Sequence, residues 1–261
     1  MNTRSEKIQA QWDVLSQDWN RFRSDEMVQN IIKAPYDYFR PELQNIFKRF
    51  VGDFTGKKVL VIGSGSGRGA FAFHALGADV TACDLSQKQL DYTATVAKQH
   101  GFSMEFIQDD VTSLANIAPN TYDLVYIPNG VMFWINDLSG MYSSIRKVLK
   151  NGGLYIMYDM HPFMHPFDFG NATELVLKKD YNATGPFGAM ETHLWRLQDY
   201  LNGIIGAKLN LVHMEEMKAA QGTFWVDEDE NISEEALATL YNMETNPLYA
   251  LPQCLALVAQ K

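Results

Sequence analysis

Four glycines, Gly63, Gly65, Gly67 and Gly69, follow directly on the aliphatic run KVLVI and open into a helical stretch, GRGAFAFHAL. Glycines in such a place let the backbone turn sharply and approach a ligand with no Cβ in the way, while the next helix offers free amides. NAD(P), FAD and S-adenosylmethionine are all held by loops of this kind. A second residue narrows the chemistry. Asp84 stands 21 residues after Gly63, at the end of the next apolar run, DVTACDL. A carboxylate there can accept from both hydroxyls of a ribose, so a nucleoside site is expected. The plainer reading of Asp84, an acid at a helix start, is weakened because Ser86 can cap that helix by itself.

Glycine spacing bears on which nucleoside. A dinucleotide fingerprint G-x-G-x-x-G counted from Gly63 needs a glycine at 68, where Arg68 stands. The shifted frame Gly65-x-Gly67-x-x-Ala70 does satisfy G-x-G-x-x-A, so an NAD(P)-dependent oxidoreductase stays open on this loop alone. No Tyr-x3-Lys pair follows the fourth strand.

Further along, YDMHPF places His161 just past a strand end, where it could serve as a general base toward a hydroxyl nucleophile. His165 and His193 are alternatives, with Asp159 close by. A His-x3-His metal pair with Asp159 is disfavoured because prolines follow both histidines, and no metal is expected. Met132, Trp134, Phe163 and Trp225 would line an apolar, adaptable acceptor pocket, although each is also a reasonable core residue.

These residues need elements to position them. Ile8, Trp12, Leu15, Trp19 and Phe22, then Phe39, Leu43, Ile46, Phe47 and Phe50, recur at helical spacing, with Pro35 and Pro41 dividing the stretch into two or three short helices. Residues 1–52 therefore read as an amino-terminal helical cap and 53–261 as the ligand-binding domain. From Lys57 the texture becomes a βαβ alternation: strands at KVLVIG, DVTACDL, MEFIQDD, YDLVYIP and GGLYIMYD, and helices over 87–100 and 137–149. Ser86 and Gln89 form a candidate capping box. Residues 160–193 read as a substrate-lid insertion with one hairpin around ELVLKKDYNATG, HLWRLQDYLNGIIGA as a helix, and LNLVHM and CLALVA as strands. The acidic run VDEDENISEE reads as solvated.

The chain has 261 residues, 46% of them hydrophobic, enough for a sizeable core without staples. Lys and Arg number 22 against 31 Asp and Glu, a net charge of −9 that repels polyphosphate, so nucleic acid is not an expected partner. No apolar run reaches the roughly 18 residues of a spanning helix. With no secretory h-region at the start and two cysteines, Cys83 and Cys254, in apolar stretches, a cytoplasmic protein away from membranes is expected. Nothing here fixes an oligomeric state.

Four motifs in order give residues 57–160 a resemblance to class I S-adenosylmethionine-dependent methyltransferases: GSGSG, Asp84, Gln108-Asp109-Asp110-Val111, and NTYDLVYIPNG followed by IRKVLKNGGLYI, in which Asn151 replaces the usual proline. The resemblance implies an α/β fold with a Rossmann-like seven-stranded sheet, its last strand antiparallel, flanked by helices. It implies S-adenosyl-L-methionine as cofactor and a small-molecule methyl acceptor. Carried over, Gly63, Ser64, Gly65 and Gly67 approach the methionyl and ribose parts, and Asp84 holds the ribose. Leu85 packs on the adenine, Asp110 rather than Asp109 accepts from its amine, Val111 offers its amide, and Asn129 and Gly130 lie near the sulfonium. The Pro-Pro-aromatic motif of adenine and glutamine methyltransferases is absent at Met132-Phe133-Trp134, against acceptors of those kinds. Val61 stands where the family usually has an acid that organises the loop and the cofactor's amino group, which leaves room for a protein that binds the nucleoside without turnover.

Overall fold

The computed structural model describes residues 3–18, 23–168, 174–219 and 233–261. Seven strands, β1 (Lys58–Ile62), β2 (Asp79–Asp84), β3 (Glu105–Gln108), β4 (Tyr122–Ile127), β5 (Leu149–Met160), β6 (Asn210–Met217) and β7 (Cys254–Gln260), form one sheet in the order β3-β2-β1-β4-β5-β7-β6. Strands β1 to β5 run parallel, and β7 is antiparallel to both β5 and β6. A dinucleotide fold of order 3-2-1-4-5-6 has no strand inserted antiparallel between the fifth and sixth, so the topology separates this chain from the oxidoreductase alternative.

Because both faces of the sheet are covered, β1 reads as an unbroken aliphatic run instead of an alternating one. Val59 and Val61 enter one apolar layer with α2 (Asp25–Lys33), α3 (Pro41–Phe50), α4 (Arg68–Ala75) and α5 (Gln87–Gln99). Leu60 and Ile62 enter the opposite layer with α6 (Leu138–Val148) and α7 (Leu197–Gly206). Val28, Ile31, Leu43, Ile46 and Phe47 share that first layer with the strands, so the boundary drawn at residue 52 divides no core. Of the expected cap, α1 (Thr3–Leu15) lies over the carboxyl edge of the sheet through contacts described below, and Arg23 reaches the same edge at Gly65. Trp19, Phe22, Trp225 and most of the acidic run lie outside the described residues.

Three local expectations are corrected. Residues 174–185 form no hairpin among the described residues; isolated bridges pair Phe167 with Leu177 and Phe187 with Thr192. The helix expected from His193 begins at Leu197, because Asp199 accepts from the Arg196 amide at 3.0 Å and ties down its guanidinium as well. The capping box of α5 is half made: Ser86 Oγ accepts from the Gln89 amide at 3.2 Å, but Gln89 Oε1 accepts from Arg23 and does not reach back. A last helix, α8 (Glu234–Leu240), precedes β7. Both cysteines are buried free thiols, and among the described residues no helix is long and apolar enough to cross a membrane.

Candidate functional site

The chain leaves β1, steps outward to β2 and β3, and returns to the other side of β1 as β4. That reversal opens a crevice at the carboxyl ends of β1 and β4, where open α/β sheets bind ligands. The glycine loop lines it. Gly63 has φ +64°, and a Cβ there would stand 2.5 Å from Val131 Cγ2 in the segment after β4. Gly67, at φ +84°, starts α4, and a side chain on it would collide with Thr93. The loop is held from behind by Ser64 N donating to Cys83 O at 3.1 Å and Thr93 Oγ1 donating to Gly65 O at 3.2 Å. Ser64 Oγ is buried with no hydrogen-bond partner among the described residues.

Asp84 ties the loop to the next helix. Its Oδ2 accepts from the Gly65 amide and its Oδ1 from the Ser86 amide, both at 2.9 Å. Each oxygen keeps a further lone pair, as a ribose-binding carboxylate must. Burial raises the Asp84 pKa, opposed by the amides of Ser86, Gly65 and Leu85 and by the charge of Arg23. Arg23 is itself buried: it donates to Gly65 O at 3.1 Å and to Gln89, and desolvation lowers its pKa to about 10.

After β3 the two neighbouring acids take different roles. Asp109 is buried and spends both oxygens on its own loop, accepting from the Asp110 amide at 2.8 Å and the Asn116 amide at 2.7 Å. Asp110 uses Oδ1 for Thr112 and turns Oδ2 to Ser5 Oγ of α1 at 2.5 Å. Of the two, Asp110 is the one bonded to the helix that lies over the sheet edge. Leu85 is half-buried, with its carbonyl accepting from Gln108 Nε2 at 3.0 Å, and the Val111 side chain is buried in the layer that holds Leu114. Asn129 is exposed, and the Gly130 amide donates to Asp159.

Two sequence expectations fail at this site. His161 is fully buried: its Nε2 pairs with Glu216 Oε1 at 2.9 Å, and its Nδ1 accepts from the Phe163 amide at 3.1 Å. The second bond fixes the proton on Nε2 and consumes the lone pair a base would use. Burial lowers its pKa, with Glu216 opposing. His161 therefore anchors the chain after β5 to β6 and is not placed as a free base. Met132 is buried in the core with Leu138, Met141 and Tyr155, because the 3-10 turn Met132–Trp134 directs it inward, so it lines no acceptor pocket. Trp134 remains at the site, half-buried, its ring edge-on to Trp12 at 5.3 Å and its Nε1 buried with no hydrogen-bond partner among the described residues. Phe163 is 40% exposed, with its ring 5.7 Å from that of Tyr181.

Sequence reasoning missed the polar face of α1. Ser5 binds Asp110, Asp13 Oδ1 accepts from Ser86 Oγ at 2.5 Å, and Arg4 donates to Trp134 O at 3.1 Å and Glu191 O at 2.6 Å. One helix thus touches the strand-three acid, the helix after Asp84 and the 188–193 loop. Its apolar spacing gives the helix; the polar side chains Arg4, Ser5 and Asp13 that make these contacts carry no periodic signal.

Comparison with known proteins agrees with this geometry. Residues 59–153 match a family model described as a methyltransferase domain. An uncharacterized methyltransferase of Bacillus subtilis is 24% identical over 62% of this chain and 63% of its own length. A sterol 24-C-methyltransferase of Gibberella zeae is 27% identical over 74% of this chain and 52% of its own. The chain thus spans between about half and 63% of the length of these two curated relatives. Among solved structures, a geranyl diphosphate C-methyltransferase from Streptomyces coelicolor, in complex with Mg2+, geranyl diphosphate and S-adenosyl-L-homocysteine, superposes with a TM-score of 0.64 at 14% identity, covering 99% of this chain and 98% of that one.

Proposed function

We propose that this chain, a member of the class I S-adenosylmethionine-dependent methyltransferases, binds S-adenosyl-L-methionine at the carboxyl edge of its sheet and moves the methyl group to a small molecule with an apolar body. The observation that carries the reading is the pairing of Asp84 with the Gly65 and Ser86 amides, which joins the glycine loop and a ribose-binding acid into one cradle. The cradle fits the cofactor: Gly63 and Gly67 leave room that a Cβ would fill, and the buried Ser64 hydroxyl is available to it.

When bound, the cofactor supplies a sulfonium-activated methyl group, so the protein's share of the work is alignment and exclusion of water. Asp84 would accept from the ribose hydroxyls, Leu85 would cover one face of the adenine, and Asp110 would accept from its amine beside Ser5. Asn129 and Gly130 would flank the sulfur. Transfer is read as an in-line displacement: the nucleophile–carbon bond forms as the sulfur–carbon bond breaks, and the electron pair returns to sulfur. With His161 committed to Glu216, no proton is routed through it; a neutral amine, a thiolate or a carboxylate needs no base at the moment of attack. Trp134, Phe163 and the 160–193 segment would receive the acceptor, and the sterol and geranyl diphosphate relatives favour an apolar one.

Val61 favours a second reading, binding without turnover, because its side chain lies in the apolar layer with Val59, Ala82 and Tyr126 and puts no carboxylate at the family's usual position. Calorimetric titration with S-adenosylmethionine, S-adenosylhomocysteine and NAD tests the cofactor. Micromolar binding of the first two alone is expected; binding of NAD, or of none, overturns the reading. Methyl transfer to any member of a panel of apolar hydroxyl, amine and thiol acceptors then separates the enzyme from the binding protein.

A further inference from the structure

Asp159 stands next to last in β5 and is 1% exposed, deep in the fold. Its Oδ1 accepts from the Gly130 amide at 3.1 Å and the Met160 amide at 2.7 Å, and its Oδ2 from the Met132 amide at 3.0 Å. These bonds clamp both sides of Val131, whose methyl lies in the space that a Cβ on Gly63 would need. One carboxylate on β5 thereby sets the wall that faces the first glycine of the loop. Such a wall is costly, because a buried carboxylate loses its hydration and the amides repay only part of it.

Resting on the cofactor reading above, which would set the sulfur beside Asn129 and Gly130, we propose that Asp159, bonded to the Gly130 amide, is a positioning residue whose buried charge makes the site favour a sulfonium over a thioether. Before transfer the ligand's sulfur is cationic, and afterwards it is neutral. An anion fixed behind it therefore holds the substrate cofactor more tightly than the spent one and favours release of S-adenosylhomocysteine. The two ligands share the adenosine and the amino-acid end and differ by the methyl group and the charge it brings, so the change of their affinity ratio with the ionisation of Asp159 isolates the charge on sulfur.

The same carboxyl gives the test a handle. Burial pushes the Asp159 pKa up to about 6, against the amides of Met132, Gly130, Met160 and Val131. The groups that face it are Tyr155 on its own strand and, from neighbouring elements, Tyr126 on β4, Tyr200 on α7 and Cys254 on β7, all with pKa values raised by burial, so they stay neutral from weak acid to neutrality. His161, two residues on, has its pKa lowered.

The experiment is calorimetric titration of the wild-type chain and of Asp159→Asn with S-adenosylmethionine and S-adenosylhomocysteine, from about pH 7.5 to about pH 5.5. With a midpoint near 6, the ionised fraction falls about fourfold across that range, and the wild-type ratio of affinities is expected to fall by up to as much. In Asp159→Asn the ratio is expected to be lower at neutral pH and flat. A wild-type ratio that holds constant while both ligands bind overturns the proposal and leaves the cofactor reading standing. So does an Asp159→Asn chain that keeps both the preference and its pH dependence. Failure of both ligands to bind wild type at any pH overturns the cofactor reading and this proposal with it. The wild-type series needs no variant to fold, and a melting curve of Asp159→Asn shows whether its titration reports on a folded chain.

Discussion

Replacing Asp84 tests the cradle most directly, and the structure sets two separate costs. In the free protein Asp84→Ala releases the Gly65 and Ser86 amides, each now bonded at 2.9 Å. Hydrogen bonds to a charged group contribute about 1.5–3 kcal/mol each. Part of that is offset because burial already disfavours the ionised carboxyl, so a net loss of about 2 kcal/mol is a fair expectation. For a chain of this size that lowers Tm by roughly 4–8 °C. The second cost falls on the ligand. Two ribose hydroxyls lose their acceptor, worth about 3–6 kcal/mol together, or an affinity loss of roughly 100-fold to 10,000-fold. Asp84→Asn keeps the shape and one accepting oxygen but turns an NH2 toward an amide donor, so a smaller drop is expected in both readings. Thermal unfolding and calorimetric titration with S-adenosylmethionine on the same samples measure the two costs. A folded Asp84→Ala chain that binds within about threefold of wild type would refute the placement of the ribose.

Three further outcomes follow from the same geometry. Gly63→Ala places a methyl 2.5 Å from Val131 Cγ2 at a φ of +64°, so it should destabilise by about 1–3 kcal/mol and weaken cofactor binding, and Val131→Ala added to it should recover part of both; equal stability of the single and double variants would show that the contact is not the cause. Ser86→Ala removes the α5 cap and the bond to Asp13, costing about 1 kcal/mol in urea unfolding and speeding amide exchange in α1, which would be unchanged if α1 were held elsewhere. Burial, with Lys179 and His161 adding, lowers the His165 pKa to about 4, below its unfolded value of 6.5. The unfolded chain then takes a proton that the folded one refuses, so this group's stability is whole above pH 6.5 and drains away down to about pH 4, by about 3 kcal/mol in all. His165→Gln should flatten that part of the urea midpoint against pH, and an unaltered slope would show that the histidine is not the source.

What could be read from residues alone follows what leaves a regular trace in a chain. β1 is an unbroken aliphatic run because both faces of the sheet are covered, and the glycines after it are dictated by backbone geometry, so both were visible. The cap of α5 was visible at Ser86 but not at Gln89, since Gln89 is diverted by Arg23, a partner 66 residues away that no local pattern announces. His161 was misread for the same reason: its Glu216 lies 55 residues on, in the antiparallel strand that only the finished sheet brings alongside. Met132 and Trp134 differ by two residues in a single 3-10 turn, one inside and one at the site, and composition cannot tell which way such a turn faces. The contacts of the polar residues of α1 leave no trace in the sequence because they depend on where one helix is laid, not on its period.

The three acids at the carboxyl edge share a device that sequence reading shows only in part. Asp84 ends β2, Asp109 follows β3 and Asp159 comes near the end of β5, and each spends its oxygens on backbone amides of its own or an adjoining loop: Gly65 and Ser86, Asp110 and Asn116, Gly130 and Met132. An acid at a strand end is legible; which amides it gathers is a property of strand order. Parallel strands deliver their loops to one edge, and a carboxylate offers two separate oxygens, so one short side chain can accept from two backbone segments at once. The result is an edge whose loops are tied through carboxylates as well as by close packing, with Arg23 as a buried cation beside Asp84. Such an edge is electrostatically matched to a ligand carrying positive charge and mismatched to a pyrophosphate. Charge at this edge therefore favours a sulfonium nucleoside over a dinucleotide independently of the glycine spacing, which bears on shape.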